Sequence, residues 1–233
     1  MAAPPPAPPA DMDELLARAH GLAGRPLAEV AAGLGLATPA DTRREKGWIG
    51  QLLETALGAS AGSAALPDFP RLGVELKTLP VDARGRPRES TYVCTVPLQG
   101  AGFDWAASWV RRKLQCVLWF PVQSETGLAL GERRLGMPLL WRPDAQEEAL
   151  LRRDWEELMD LVCAGRLDEI SARHGEVLQI RPKAADSRAL TDTVSGEGTT
   201  VRTLPRGFYL RASFTRRIIE RHYVVATAGA PRD

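Results

Sequence analysis

The spacing of apolar residues predicts three helices within the first sixty positions. Apolar side chains recur every three or four residues from about 11 to 22, from 26 to 33 and from 45 to 57, which is the pattern of a helix with one buried face. Acidic residues open the first segment and glycines close the second, as is typical of helix ends. The first quarter of the chain is therefore predicted to be helical.

Strand patterns begin after residue 70. Apolar and polar residues alternate in Gly73–Leu79, a second strand is predicted near Thr91–Val96, and Val117–Val122 is a compact apolar run typical of a buried strand. Later predictions are a helix at Leu150–Leu161, a short strand at Val177–Ile180, a turn at Arg206–Gly207 before Tyr209–Leu210, and a last helix from Ser213 to Val225. Because helices flank several strands, the predicted fold class is α/β.

Composition places the chain among ordinary globular proteins, with 44% hydrophobic and 25% charged residues. Its 233 residues are enough for one large domain or for two small units that share a core. Residues 1–10 are Pro/Ala-rich and predict a disordered tail, which lacks the basic residues of a signal peptide. No Cys-x-x-Cys pair occurs, which argues against a zinc site and favours reduced thiols in the cytoplasm.

Positive charge is concentrated near the C-terminus. The whole chain carries +1, but residues 171–233 hold 11 Lys or Arg against 6 Asp or Glu. A basic C-terminal third can bind phosphate groups while the molecule as a whole stays near neutral.

The segment from Pro67 to Lys77 holds the residues with the clearest chemical potential. Residues two apart on a strand point to the same face, roughly 6.6 Å apart, so Glu75 and Lys77 share a face. Val74 and Leu76 are expected on the buried side. Asp68 can return alongside Glu75 if the intervening residues fold back.

This arrangement suits phosphodiester hydrolysis. Mg²⁺ prefers oxygen ligands and is usually held by one or two carboxylates, waters and substrate phosphate. Asp68, Glu75 and the backbone carbonyl of Leu76 could supply those oxygens, and the ion would lower the pKa of a bound water. Lys77 could orient that water or stabilise charge that develops on the phosphate.

The same segment resembles the PD-(D/E)xK nuclease motif, and its neighbourhood resembles the MutH family of methyl-directed mismatch-repair endonucleases. The resemblance covers about residues 11 to 225. The strings that carry it include KGWIG (46–50), LGASAGS (57–63), GVELKT (73–78), DWEELM (154–159), QIRPKA (179–184) and LPRGFYL (204–210).

The resemblance implies further catalytic residues beside Asp68, Glu75 and Lys77. It adds Glu54, from the helix before the motif, to the metal site. It also implies a lysine near the scissile phosphate, for which Lys113 fits best, and Arg112 remains an alternative.

DNA contacts are implied at separate positions, which are Lys46, Tyr92, Arg181, Pro182, Lys183 and Tyr209. Lys46 resembles a backbone contact, which sets affinity and register but not sequence. Arg181 is the predicted reader of guanine in the major groove, with Pro182 stiffening its loop and Lys183 close to bases or phosphate. Tyr209 matches a position linked to sensing adenine methylation, and Tyr92 matches an aromatic position near DNA.

The resemblance further implies a restriction-endonuclease-like mixed β-sheet flanked by helices, in two lobes around a DNA-binding cleft. We expect one nuclease domain over 11–226, with a catalytic lobe at about 11–120, a DNA-reading lobe at about 121–226 and a flexible end at 227–233. The implied activity is Mg²⁺-dependent nicking 5′ of the G on the unmethylated strand of GATC sites, activated by the ATPase MutL. Nicking of one strand fits a monomer.

Two other interpretations stay open at this point. A type II restriction endonuclease of related fold would cut both strands and need no MutL. A DNA-binding module with an inactive site is the non-enzyme alternative, although Asp68, Glu75 and Lys77 are all intact.

Overall fold

The computed structural model describes residues 6–39, 45–62, 66–98, 104–183, 191–194 and 199–227. Its helices are α1 (Met12–Leu22), α2 (Leu27–Gly33), α3 (Glu45–Leu57), α4 (Trp109–Leu114), α5 (Ala145–Cys163) and α6 (Ala212–Thr227). Its strands are β1 (Glu75–Val81), β2 (Thr91–Thr95), β3 (Val117–Gln123), β4 (Leu139–Trp141), β5 (Leu178–Pro182), β6 (Thr191–Val194), β7 (Thr200–Thr203) and β8 (Arg206–Leu210). The predicted α/β class is confirmed. Within the described ranges, no helix has the length and apolar character needed to cross a membrane.

Contacts divide the chain into two units. The first contains residues 1–88 and 115–142, and the second contains residues 89–114 and 143–233. This division differs from the predicted single boundary near residue 120. The reason is that β3 and β4 pair with β1, so residues 115–142 return to the first unit.

The first unit is built on a three-stranded sheet in the order β1-β3-β4. β1 and β3 are parallel, with Glu75 opposite Val117, and β4 is antiparallel to β3. Helices α1, α2 and α3 pack their apolar faces into the core of this unit, where Leu15, Leu53 and Leu118 are fully buried. The predicted burial of β3 is confirmed, because every residue from 117 to 122 is buried.

Part of the proline-rich segment has contacts with this unit. The Arg18 guanidinium donates to the carbonyl of Ala7 at 2.7 Å and to that of Leu57 at 3.1 Å. Pro9 is buried. Side chains of α1 thus hold Ala7 and Ala10 through hydrogen bonds to their backbone, which the composition of the segment did not predict.

The second unit contains an antiparallel sheet in the order β2-β8-β5 and a separate hairpin of β6 and β7. Arg206 and Gly207 were predicted to form a turn, and this was wrong: they begin β8, where Arg206 pairs with Pro182 and Gly207 with Arg181. Phe208 is buried on the other face from Gly207 and helps to form the core of this unit.

Candidate functional site

A tight turn brings Asp68 back alongside the first residues of β1. Phe69 and Val74 form an antiparallel bridge in which each backbone N–H donates to the carbonyl of the other, at 2.9 and 3.3 Å. The Asp68 carboxylate then accepts a hydrogen bond from the backbone N–H of Leu76 at 2.8 Å. The fold-back that the spacing required is therefore present.

The backbone of Leu76 faces away from the rest of its sheet. The N–H of Glu75 donates to the Cys116 carbonyl, on the side of β3. Because consecutive residues of a strand alternate the direction of their backbone groups, the N–H and C=O of Leu76 point to the opposite side. That side is the edge of the sheet, where the Asp68 carboxylate lies.

Glu75 and Lys77 share one face of β1 and form an ion pair. The Lys77 ammonium donates to Glu75 Oε1 at 2.8 Å, and the two side chains are only 12% and 5% exposed. Simple alternation predicted Val74 and Leu76 on the buried side, which is confirmed, but the face of Glu75 is buried as well. Parallel strands are commonly covered on both faces, and weak screening makes such a buried pair interact strongly.

Glu54 lies in the last turn of α3 and is half-buried. An added Cβ at Gly50 would lie 3.8 Å from Glu54 Oε1, so the carboxylate extends back along its own helix. The loop after α3 is tied to Asp68, whose carbonyl accepts from the N–H groups of Ser60 and Ala61 at 3.1 and 3.4 Å. These hydrogen bonds connect the loop after α3 to the turn that contains Asp68.

The carboxylates fit a hard cation that keeps part of its water shell. In the part of the chain that the structure describes, no three His, Cys, Asp or Glu side chains are grouped closely enough to hold a metal ion. Asp68, Glu75 and the edge-facing carbonyl of Leu76 instead offer two carboxylates and one neutral oxygen. Such a partial protein set is usual for Mg²⁺, for which waters and substrate phosphate complete the coordination.

Lys113 lies on α4 in the second unit and is half-buried. Its two basic neighbours have other contacts. Arg111 donates to Glu148 Oε1 at 2.8 Å, and the same oxygen accepts from the indole of Trp105 at 2.9 Å. The Arg112 guanidinium stacks over Trp109, 4.7 Å from the ring centroid.

Four of the predicted DNA-contact residues meet on one face of the β2-β8-β5 sheet, which we call the reading face: Tyr92, Arg181, Lys183 and Tyr209. Tyr92 and Tyr209 are opposite each other, with ring centroids 5.4 Å apart in an edge-to-face contact. Arg181 lies over Tyr209 at 5.9 Å and Lys183 over Tyr92 at 4.2 Å. The Arg181 guanidinium also donates to Ser90 Oγ at 2.7 Å. Burial, together with the neighbouring Tyr92, raises the pKa of Tyr209 above its ordinary value.

The other two predicted contacts are Pro182 and Lys46. Pro182 is exposed at the end of β5. Lys46 belongs to the first turn of α3, but its side chain lies outside the described part of the structure.

Sequence reasoning missed three small residues around the reading face: Ser90, Thr95 and Gly207. A Cβ at Gly207 would lie 2.8 Å from the Tyr92 ring and 3.1 Å from the Tyr209 ring, so glycine lets the two rings approach. Ser90 directly precedes β2 and is two positions from Tyr92, a spacing that could have indicated that they share a face.

The protein has the features of a DNA-cleaving enzyme. Its fold is α/β, two carboxylates and a lysine lie at the start of an edge strand, and cationic side chains lie over aromatic rings on a second sheet. The family model described as "DNA mismatch repair enzyme MutH" matches residues 57–154. The "DNA mismatch repair protein MutH" of Serratia proteamaculans is 56% identical over 223 residues, which cover 95% of this chain and 98% of the relative. The proteins of that name from Klebsiella pneumoniae and Shewanella baltica are 55% and 54% identical and cover 96% and 92% of this chain, and 97% and 96% of their own lengths.

The chain belongs to the MutH family. Its relatives match it over nearly their whole length, so the likeness includes both units and not only the carboxylate motif.

Proposed function

We propose that this protein is the strand-nicking endonuclease of methyl-directed mismatch repair. It cleaves the unmethylated strand 5′ of the G in hemimethylated GATC sites, requires Mg²⁺ and is activated by MutL. The observation that carries the proposal is the fold-back that sets Asp68 against the Leu76 backbone, beside the Glu75–Lys77 pair. It occurs in a chain about 55% identical to mismatch-repair proteins over 96% of its length.

Asp68, Glu75 and the Leu76 carbonyl are the proposed direct ligands of Mg²⁺. Glu54 is the proposed additional carboxylate of this site, although in the described structure it is not grouped with Asp68 and Glu75 closely enough for all three to hold one ion. The bound ion would supply Lewis-acid polarisation of the phosphate and a lower pKa for an attacking water. The hydrogen bond from the Leu76 N–H fixes one oxygen of the Asp68 carboxylate, and this also restricts the position of the second oxygen. Holding ligands in place before substrate binds reduces the reorganisation needed in the transition state.

Lys77 is proposed to stabilise the negative charge that develops on the attacked phosphate. Its ammonium is kept at Glu75 by the 2.8 Å ion pair, so its position is set by a residue of the same site. Lys113 is proposed as the second lysine near the phosphate, as the family resemblance implies. Arg112, the alternative, lies over the Trp109 ring.

The reading face is proposed to recognise the target sequence, with Pro182 beside it and Lys46 as a backbone contact. Arg181 is the proposed reader of guanine, and Tyr209 the proposed sensor of adenine methylation. Ser90 holds the guanidinium from one side and the Tyr209 ring lies below it, which limits the directions it can take. A guanidinium fixed in this way suits the paired acceptors N7 and O6 of guanine.

We further propose a restriction-endonuclease-like fold, a monomeric enzyme and a cytoplasmic location. Membership of the family supports the fold, since it implies this architecture. One nick requires one catalytic site, whereas double-strand cutters usually pair two sites through two-fold symmetry.

The test uses supercoiled plasmid with a single GATC site in unmethylated, hemimethylated and fully methylated forms. With Mg²⁺, we expect slow nicking of the first two, resistance of the third and a higher rate on addition of MutL and ATP. EDTA should abolish nicking. Linear product without MutL at ordinary enzyme levels would identify a restriction enzyme instead, and no cleavage under any condition would refute the proposal.

Replacing Arg181 should relax specificity. We expect Arg181→Lys to lower the ratio of nicking at GATC to nicking at a site with the G·C pair changed, by about tenfold to a hundredfold, because a point charge cannot make the bidentate contact. Arg152→Ala is the matched control, since Arg152 is an exposed arginine of the same unit paired with Glu156. An unchanged ratio in Arg181→Lys would remove Arg181 from sequence reading.

A further inference from the structure

Two hydroxyl groups of β2 hold the Lys183 ammonium on the reading face. Lys183 Nζ donates to the Tyr92 hydroxyl at 2.6 Å and lies 3.4 Å from Thr95 Oγ1. The Tyr92 and Thr95 oxygens are themselves 2.9 Å apart. The backbone of Lys183 is fixed as well, because its N–H donates to the Pro205 carbonyl at 2.8 Å. A flexible, exposed lysine is therefore held at both ends.

Thr95 reaches this cluster because β2 contains a bulge. Tyr92 and Thr95 are three positions apart, so regular alternation would put them on opposite faces. The register with β8 shifts between Tyr92 and Cys94, and Thr95 then pairs with Gly207. Gly207 is on the same face as Tyr209, so the bulge turns the Thr95 hydroxyl towards Tyr92 and Lys183.

The cluster presents hydrogen-bond donors. An ammonium has three N–H groups, and two of them have oxygen partners among the described residues. The bond between the two hydroxyls uses one of their hydrogens and leaves the other to donate elsewhere. With respect to the residues that the structure describes, one N–H and one O–H donor remain, and together they complement a pair of acceptor atoms.

We propose that Thr95 and the hydroxyl of Tyr92 are positioning residues that orient Lys183 towards acceptor atoms of DNA. The proposal deepens the proposed function and rests on it. Lysine loses considerable rotamer freedom when its ammonium is immobilised, so a group that orients it before DNA arrives lowers the cost of making the contact. The acceptors are either base atoms, such as guanine N7 and O6, or phosphate oxygens.

The variants separate the two hydroxyls from the rest of their side chains. Thr95→Val and Tyr92→Phe each remove one hydroxyl and keep the shape, and Thr95→Ser keeps the hydroxyl as a matched control. The same substitutions are repeated in a Lys183→Met background. Thermal melting of each variant checks its folding, and the exposure of Thr95 favours a folded Thr95→Val protein.

The measurements are nicking of the single GATC plasmid, nicking of plasmids with one base pair of the site changed, and DNA affinity at several salt concentrations without cleavage. We expect Thr95→Val and Tyr92→Phe to weaken recognition of GATC by about threefold to tenfold each, since each variant loses one hydrogen bond that orients the Lys183 ammonium. Thr95→Ser, which keeps the hydroxyl, should retain most of the recognition of GATC. In the Lys183→Met background, the same substitutions should have no further effect.

The pattern of loss identifies the acceptor. A smaller ratio of cognate to altered sites indicates base atoms, whereas a uniform loss with a shallower salt dependence indicates phosphate oxygens. Equal effects of Thr95→Val with and without Lys183 would overturn the proposal, as would unchanged recognition in both single variants. Wild-type protein that fails to nick GATC would instead refute the proposed function.

Discussion

Asp68→Asn and Glu75→Gln are each expected to reduce strand nicking by about a thousandfold or more while DNA binding is retained. Each substitution replaces a carboxylate oxygen by an amide nitrogen, which repels a cation, with almost no change of shape. Loss of several kcal/mol of charge stabilisation in the transition state corresponds to this range of rates. The measurement is single-turnover nicking of hemimethylated plasmid at several Mg²⁺ concentrations, beside DNA affinity measured in Ca²⁺.

Glu29→Gln is the matched control for these two variants. Glu29 is an exposed carboxylate on α2 in the same unit, paired only with Arg25 at the surface in the described structure. It should nick at the wild-type rate. Asp68→Asn also keeps an oxygen that can accept the Leu76 N–H, so folding should be preserved. Nicking by Glu75→Gln within tenfold of wild type, at the same Mg²⁺ dependence, would show that Glu75 is not a metal ligand.

The carboxylate site could be predicted from the sequence because its geometry is local. Strand alternation sets Glu75 and Lys77 on one face, and the short return of the chain from Asp68 needs only a tight turn. The burial of that face could not be predicted, because it depends on the residues that cover Glu75 and Leu79 from elsewhere in the chain. A short pattern cannot distinguish a strand covered on one face from a strand covered on both.

The residues of the reading face could be predicted only from the family resemblance. Its residues are separated by about 90 positions along the chain, and hydrogen bonds of 2.6 and 2.7 Å across that separation bring them together. Periodicity could not identify Thr95, since the bulge in β2 reverses the face it occupies. It also misplaced the start of β8, because Arg206 and Gly207 have the composition of a turn and pair with β5 only in the folded sheet.

Asp154 lies behind the reading face and supports β5 from the core of the second unit. It is fully buried on α5, and one carboxylate oxygen accepts from the backbone N–H groups of Val177 and Leu178 at 2.6 and 3.0 Å. Gly175 lets the loop before β5 pass close to the strand, since a Cβ there would lie 1.9 Å from the Leu178 carbonyl oxygen. The strand that carries Arg181 therefore begins at a buried carboxylate.

Asp154→Ala is expected to destabilise the protein by about 2 to 4 kcal/mol, because two buried N–H groups lose their carboxylate acceptor. The corresponding fall in Tm is roughly 5 to 15 °C for a chain of this size. Asp160→Ala is the control: it is the same substitution in the same helix, at an exposed position, and should change Tm by no more than about 2 °C. Thermal melting followed by circular dichroism measures both. Equal Tm values for the two variants would mean that the start of β5 is held by its sheet partner β8 alone.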